Sequence, residues 1–272
     1  MLKKIISLVT LSLAGFLSIY PVLYILGVAL RPDNAFSLRT LSIIPEGATG
    51  QNFVKLFTET DFLLWLKNSL VVSLSVVATG VSLAALAGYA LSRFEFRGKQ
   101  TALLSLLVTQ SFPATMLLLP FFILLARLNL IDSYLGLFVI YSSTALPFCI
   151  WQMKSFYDTV PRELEEAARI DGCGPFTAYR KIILPLSLPA IAVTALFSFL
   201  AAWSEYAVAA VVIQDPLLYT LPLGLKSFQA SLATQWGLYA AGALLVSVPV
   251  VIVFLFLARF LVSGLTLGGV KG

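Results

Sequence analysis

Histidine is absent from the 272-residue sequence, and charged residues make up only 11% of it. Without an imidazole, histidine metal ligands and Ser-His or Cys-His catalytic pairs are excluded. The pattern GxxxxGK[ST] is missing as well, so the chain does not bind ATP through a P-loop. The two cysteines, Cys149 and Cys173, lack the spacing of a metal or redox site. We therefore predict no enzymatic activity, no metal and no cofactor for this chain.

Hydrophobic residues make up 59% of the sequence, more than a water-soluble domain of this length covers with polar surface. A membrane-spanning helix needs about 20 mostly apolar residues. Six stretches qualify, and they predict an all-α polytopic membrane protein in one domain, 1–272, with spans at 5–30, 68–92, 101–126, 135–153, 189–213 and 237–262. The first stretch is too long for a signal-peptide core and lacks a small-residue cleavage pattern, so we expect it to be retained.

The distribution of positive charge predicts the orientation. Twelve of the 18 Lys and Arg residues lie on the side that holds both termini, against six on the other side. By the positive-inside rule, both termini face the cytoplasm. The net charge of +5 then reflects inner loops near anionic membrane lipid, and nucleic-acid binding is not predicted. The longest inner loop is 154–188.

Small residues and prolines indicate how the spans pack. Gly80, Ala84 and Gly88 recur every four residues in the second span and favour a close helix contact. Prolines within the third, fourth and sixth spans each remove a backbone hydrogen bond and favour kinks; they are Pro113, Pro120, Pro147 and Pro249.

The inner loop predicts two short helices joined by a glycine turn. Pro161 suits a first helical turn, and the acidic residues after it complement the positive end of the helix dipole; these are Glu163, Glu165 and Glu166. Gly172 is suited to the left-handed conformation that ends many helices.

The second short helix is predicted to begin at Pro175. Phe176, Tyr179 and Ile183 follow at helical spacing and form one apolar face. Such a face requires a partner, and two are physically reasonable: the membrane interface, or a groove on another protein.

The spacing of residues in this loop resembles the EAA loop of bacterial ATP-binding-cassette import permeases. The matching anchors are Glu166, Ala167, Ala168, Gly172, Ile182, Leu184 and Pro185. The resemblance implies that these residues, together with Asp171, Phe176 and Tyr179, couple the chain to an ATPase.

Shorter matches extend the resemblance to the carbohydrate-uptake branch, and in particular to maltose and maltodextrin permeases. They are Trp65, Asn68, Ser69, Leu70, Asp171, Trp203, Glu205, Tyr206 and the ending GGVKG. This branch implies a type I importer permease in a bacterial or archaeal cytoplasmic membrane, moving a sugar of the maltose, maltodextrin or trehalose class. It also implies three partners: a homodimeric ATPase that binds ATP and Mg, a second and different permease, and a periplasmic or lipid-anchored solute-binding protein.

Glu205 is the only acidic residue within the predicted spans. Two interpretations remain open: a structural one, in which the carboxylate reaches the outer membrane interface or forms a hydrogen bond across helices, and a functional one, in which it makes a contact in the translocation pathway or with the binding protein. Trp203 and Tyr206 are candidates for the same pathway, and Asp132 is expected to be an interface anchor. The alternative function is a proton- or ion-coupled secondary transporter that uses Glu205, although such carriers usually show internal repeats.

Overall fold

The computed structural model of the chain describes residues 2–33, 44–229 and 234–268. Residues 269–272 of the GGVKG ending lie outside this part. The described chain is helical, without strands. Its helices are α1 Leu2–Ala29, α2 Gln51–Thr58, α3 Phe62–Arg93, α4 Lys99–Gln110, α5 Leu118–Arg127, α6 Tyr134–Thr159, α7 Glu163–Ile170, α8 Pro175–Ala178, α9 Leu184–Leu186, α10 Leu188–Trp203, α11 Ala207–Val212, α12 Leu221–Lys226 and α13 Trp236–Gly268.

Four described helices are long and apolar enough to cross a membrane: α1, α3, α6 and α13. Two bent pairs raise the number to six if each pair forms one span. One pair joins Lys99–Gln110 to Ala114–Arg127 at an angle of 97°, and the other joins Pro175–Leu186 to Leu188–Trp203 at 74°. The fold class is therefore the predicted all-α membrane protein.

Two predicted spans differ from the straight helices that apolar composition suggests. Span 101–126 is broken between α4 and α5 because Pro113, which lacks an N–H, adopts an extended conformation with ψ 131. Its ring also disfavours a helical conformation at Phe112. Span 189–213 is interrupted between α10 and α11, where Glu205 lies. Pro147 and Pro249, in contrast, lie inside the continuous helices α6 and α13.

The chain divides into two compact units, residues 1–66 with 221–250, and residues 67–220 with 251–272. The single domain predicted over 1–272 stays a prediction. In the first unit, the Asn52 carboxamide donates to the carbonyls of Ala29 and Arg31 at 2.8 and 2.9 Å, which satisfies acceptors at the end of α1. Gly224 lies directly against the Trp65 ring, where a Cβ would clash.

The second unit is packed through small residues on α3, as the spacing of its glycines predicts. A Cβ at Gly80 would lie 2.9 Å from Ser198 Oγ of α10, and one at Gly88 would lie 2.8 Å from the backbone nitrogen of Lys154 in α6. The close approach is confirmed, and it involves two different helices. Between these positions, Ala84 belongs to a buried cluster that includes Tyr157 and Ile183.

Candidate functional site

The predicted glycine turn after α7 is present in the inner loop. The Cys173 N–H donates to the Ala168 carbonyl at 2.8 Å, and the Gly172 N–H donates to the Arg169 carbonyl at 3.0 Å. This pair of bonds is a Schellman motif, which requires a left-handed residue at Gly172. Its φ is +81, so the predicted conformation is confirmed. No atom lies within 4 Å of a Cβ built there, and the turn therefore borders open space.

One surface of the loop is exposed and partly apolar. Ile170 is 87% exposed and Phe176 is 69% exposed, although both lie in the inner loop and outside the apolar spans. Glu166 and Ala167 are exposed on α7, about one helical turn before Ile170. We call these four residues the loop patch. All four are exposed on the inner loop, and they combine one acidic, one small and two large apolar side chains.

The opposite surface of the loop packs into the chain itself. Tyr179 and Ile183 are buried in a core cluster with Tyr89 of α3 and Met153 of α6. The predicted apolar face of Phe176, Tyr179 and Ile183 is therefore wrong as a single partner-facing surface, because only Phe176 is exposed. A π-helical turn at Tyr179–Ile183 lies between α8 and α9 and changes the register between them.

The remaining loop anchors lie between these two surfaces. Ile182 and Leu184 are half-buried and pack against the core cluster, whereas Pro185 is exposed. Asp171 is exposed at the end of α7, and Ala168 lies on the buried face of that helix. The structure thus brings the ten predicted coupling residues into one loop, but only some of them face outward.

Glu165 connects α7 to the end of α3. Its carboxylate accepts a hydrogen bond from the Tyr89 hydroxyl at 2.7 Å and forms an ion pair with Arg93 Nε at 2.5 Å. The Arg93 guanidinium also donates to the Tyr157 carbonyl of α6 and to the carbonyl of Val160, the residue after that helix, both at 2.8 Å. A pocket of about 200 Å³ next to this group is also lined by Glu166 of the loop patch.

Glu205 lies in the break between α10 and α11 and caps the shorter helix. Its carboxylate accepts from the N–H groups of Val208 at 2.9 Å and Ala209 at 3.2 Å, and from the Tyr141 hydroxyl at 2.8 Å. These bonds supply the polar partners that a carboxylate requires away from water. The geometry favours the structural interpretation, in which Glu205 ends one helix and starts the next.

The aromatic residues beside Glu205 have different environments. Trp203 is buried and its ring stacks on Phe199, with ring centroids 5.1 Å apart. Tyr206 is exposed. Of these two candidates for the translocation pathway, Tyr206 is exposed and Trp203 is not.

Asp132 and Asn68 organise the segment that follows α11. Asp132 Oδ1 accepts from the backbone nitrogens of Gln214 and Asp215, each at 3.0 Å. The Asn68 carboxamide donates to the carbonyls of Leu217 and Tyr219, each at 2.9 Å. Asp132 therefore holds a protein segment, and its position at the membrane interface stays a prediction.

Sequence patterns did not single out Tyr89, Arg93 or the inward position of Glu165. Glu165 was recognised only as one of three acids at the start of α7. A weak signal exists at Arg93, a cation directly after the apolar run 68–92. Its partner is 72 positions away, and local periodicity contains no information on such a pair.

Comparisons with known proteins agree with this architecture. The chain is 39% identical over its full length to the maltodextrin transport permease MdxG of Bacillus subtilis, with 98% of that protein covered. It is 32% identical over 93% of its length to the sulfoquinovosyl glycerol permease SmoH of Agrobacterium fabrum, with 89% of that protein covered.

A solved structure shares the fold. It is a bacterial ABC transporter involved in the import of the acidic polysaccharide alginate. The match covers 95% of this chain and 96% of the matched chain, with a TM-score of 0.81 and 22% sequence identity. The relatives named above are permease components and not enzymes. Residues 80–266 match the model of the binding-protein-dependent transport system inner membrane component family, and the chain belongs to that family.

Proposed function

We propose that this chain is one permease subunit of an ATP-binding-cassette importer that moves an oligosaccharide of the maltodextrin class into the cytoplasm. The 39% identity to a maltodextrin permease over the whole chain supports this substrate class. A second relative transports a glycosylated glycerol, so the broader class is saccharides. The single structural observation that supports coupling is the loop patch, which exposes Ile170 at the end of α7 and Phe176 on α8.

The loop patch is suited to a groove on an ATPase subunit. Ile170 and Phe176 supply apolar area whose burial contributes about 25 cal/mol per Å². Ala167 permits close approach, and Glu166 supplies a charge that pairs with a basic group in the groove. The open space beside Gly172 leaves room for the partner's surface. Because this chain has no P-loop, the ATP and Mg belong to the ATPase homodimer.

Coupling then follows from how the loop is built. The Schellman turn fixes α7 relative to α8, and the buried Tyr179 and Ile183 fix the loop to its own helices. When ATP binding moves the ATPase surface, the loop transmits that displacement to the spans. A second permease completes the pathway, and a solute-binding protein delivers the saccharide on the outer side. The membrane is the bacterial or archaeal cytoplasmic membrane.

The ion-coupled alternative through Glu205 receives no support from the findings above. A proton site must change its hydrogen-bond partners as it binds and releases the proton. The Glu205 carboxylate is instead occupied by three donors, two of which are backbone N–H groups of the helix that it begins. We assign Glu205 a structural role at the start of α11.

Co-purification tests the proposal. The tagged chain is solubilised from its native membranes, and we expect an ATPase, a second permease and uptake of labelled maltodextrin after reconstitution. Ile170→Glu and Phe176→Glu should each reduce ATPase recovery, because they place charge in an apolar contact. Val54→Glu on α2 is the matched control, since Val54 is also exposed and apolar. A chain that is recovered alone, or variants that bind ATPase as the wild type does, would contradict the proposal.

A further inference from the structure

Arg93, the last residue of α3, joins three helices at one point. Its guanidinium pairs with Glu165 of α7 and donates to the carbonyls of Tyr157 and Val160 at the end of α6. The side chains of Arg93 and Glu165 are only 6% and 8% exposed. Tyr89, one turn earlier on α3, donates to the second oxygen of the same carboxylate. Both carboxylate oxygens of Glu165 therefore accept hydrogen bonds from side chains of α3.

The chemistry of arginine makes this junction geometrically strict. The guanidinium is planar and donates in fixed directions, so satisfying acceptors on two other helices restricts how those helices lie. The Tyr157 carbonyl also accepts from the Val160 N–H at 3.1 Å, and the negative end of the α6 dipole favours a cation there. A lysine provides the same charge but does not provide the planar fork.

A buried ion pair is a weak source of stability, because the desolvation of both charges offsets their attraction. Its effect on geometry is larger, since removal of one partner leaves a buried charge unpaired. This pair lies directly beside the loop patch, because Glu165 and Glu166 are consecutive residues of α7. A displacement applied to the patch therefore acts on Glu165 as well.

We propose that Arg93 and Glu165 transmit displacement of α7 to α3, so that α3 follows the loop during the transport cycle. Arg93 and Glu165 are thus positioning residues for coupling. This inference rests on the proposed function, because it assumes that an ATPase moves the loop. It adds a route to a helix that is separated from the loop in sequence by α4, α5 and α6.

Other ion pairs in the described part of the chain have a different character. Glu95 pairs with Lys99 at i,i+4 spacing, and its carboxylate side chain is 80% exposed. Exposed pairs of this kind contribute little to stability. They also link residues that are close in sequence, whereas Arg93 and Glu165 are 72 positions apart. Glu95→Gln is therefore the matched control for Glu165→Gln.

The experiment uses the complete transporter in proteoliposomes. Uptake of labelled maltodextrin per ATP hydrolysed is measured for the wild type, Glu165→Gln, Arg93→Lys and Glu95→Gln, in each case on assembled complexes only. We expect Glu165→Gln and Arg93→Lys to lower uptake per ATP by about tenfold. ATP hydrolysis stimulated by the binding protein should persist, and Glu95→Gln should match the wild type.

A distance measurement separates a coupling role from a merely structural one. One spin label is placed on Cys173, next to the Gly172 turn, and the other on a cysteine introduced by Arg97→Cys, four residues beyond α3. Cys149 stays unlabelled because it is only 1% exposed. In the otherwise unchanged chain the distance between the labels should be the same with and without ATP. In Glu165→Gln it should change when ATP binds, because α7 then moves without α3.

The outcomes are distinct. If Glu165→Gln retains normal uptake per ATP in assembled complexes, or if its label distance is as constant as in the otherwise unchanged labelled chain, the link does not transmit motion and the inference is wrong. If the wild-type chain assembles with no ATPase, the proposed function itself fails. If Glu165→Gln assembles too poorly to measure, Arg93→Lys, which retains the charge, decides between the same two results.

Discussion

Glu165 and Glu166 are consecutive residues of α7 with opposite environments. Glu165 is buried and bonded to Tyr89 and Arg93, whereas Glu166 is exposed beside them. The two carboxylates are chemically identical, so the same substitution at each position separates internal structure from partner binding.

We predict that Glu165→Ala destabilises the chain by about 3 kcal/mol, because it leaves the Arg93 charge buried without its partner. Glu166→Ala should change the free energy of unfolding by less than about 0.5 kcal/mol, as exposed substitutions usually do. Unfolding of the purified chain in detergent measures both. Equal losses for the two variants would contradict the opposite environments of these residues.

The loop shows how far the sequence alone could predict this site. The turn at Gly172 was predictable because helix dipoles, proline positions and a C-terminal glycine are local signals. The burial of Tyr179 and Ile183 was not, because an apolar face at helical spacing does not indicate whether its partner is another protein or the same chain. The Arg93–Glu165 pair was missed for a related reason, since two residues 72 positions apart leave no periodic pattern.

The spans show the same limit. The apolar runs predicted where the helices are, and small residues predicted the contact along α3. They did not predict the break at Glu205, because the surrounding residues are apolar enough to continue the helix. The break becomes understandable only with the bonds from Val208, Ala209 and Tyr141, one of which comes from a different helix.

The turn after α7 provides a second prediction. Gly172 has φ +81, whereas Gly174, two residues later, has φ −69, and a methyl group at either position would meet no atom within 4 Å. Gly172→Ala should therefore destabilise the chain by about 1 kcal/mol through backbone strain alone. Gly174→Ala should be neutral or slightly stabilising. Thermal unfolding of the two purified variants tests the difference, and a larger loss at Gly174 would contradict a left-handed turn at Gly172.

The close approach of α3 and α6 provides a third prediction. A methyl group at Gly88 would lie 2.8 Å from the backbone nitrogen of Lys154 and from Met153 Cβ, so the helices must separate to admit it. Gly88→Ala should destabilise the chain by about 2 kcal/mol despite the better helix propensity of alanine. Gly15→Ala on α1, where no atom lies within 4 Å, is the control and should be stabilising or neutral. Comparable stability of the two variants would contradict the α3–α6 packing.

The role assigned to Glu205 leads to the last prediction. Glu205→Ala removes the acceptor for two backbone N–H groups and for the Tyr141 hydroxyl, which should cost about 2 kcal/mol. Tyr141→Phe removes one donor and leaves the carboxylate bonded to Val208 and Ala209, so its loss should be smaller. If the role is structural, complexes of either variant that do assemble should transport the saccharide with normal uptake per ATP, and a protonophore should not change that ratio. Uptake that is abolished in well-assembled Glu205→Ala complexes, or that depends on a proton gradient in the wild type, would instead place Glu205 in the transport pathway, because a helix cap affects how much complex forms and not what each complex does.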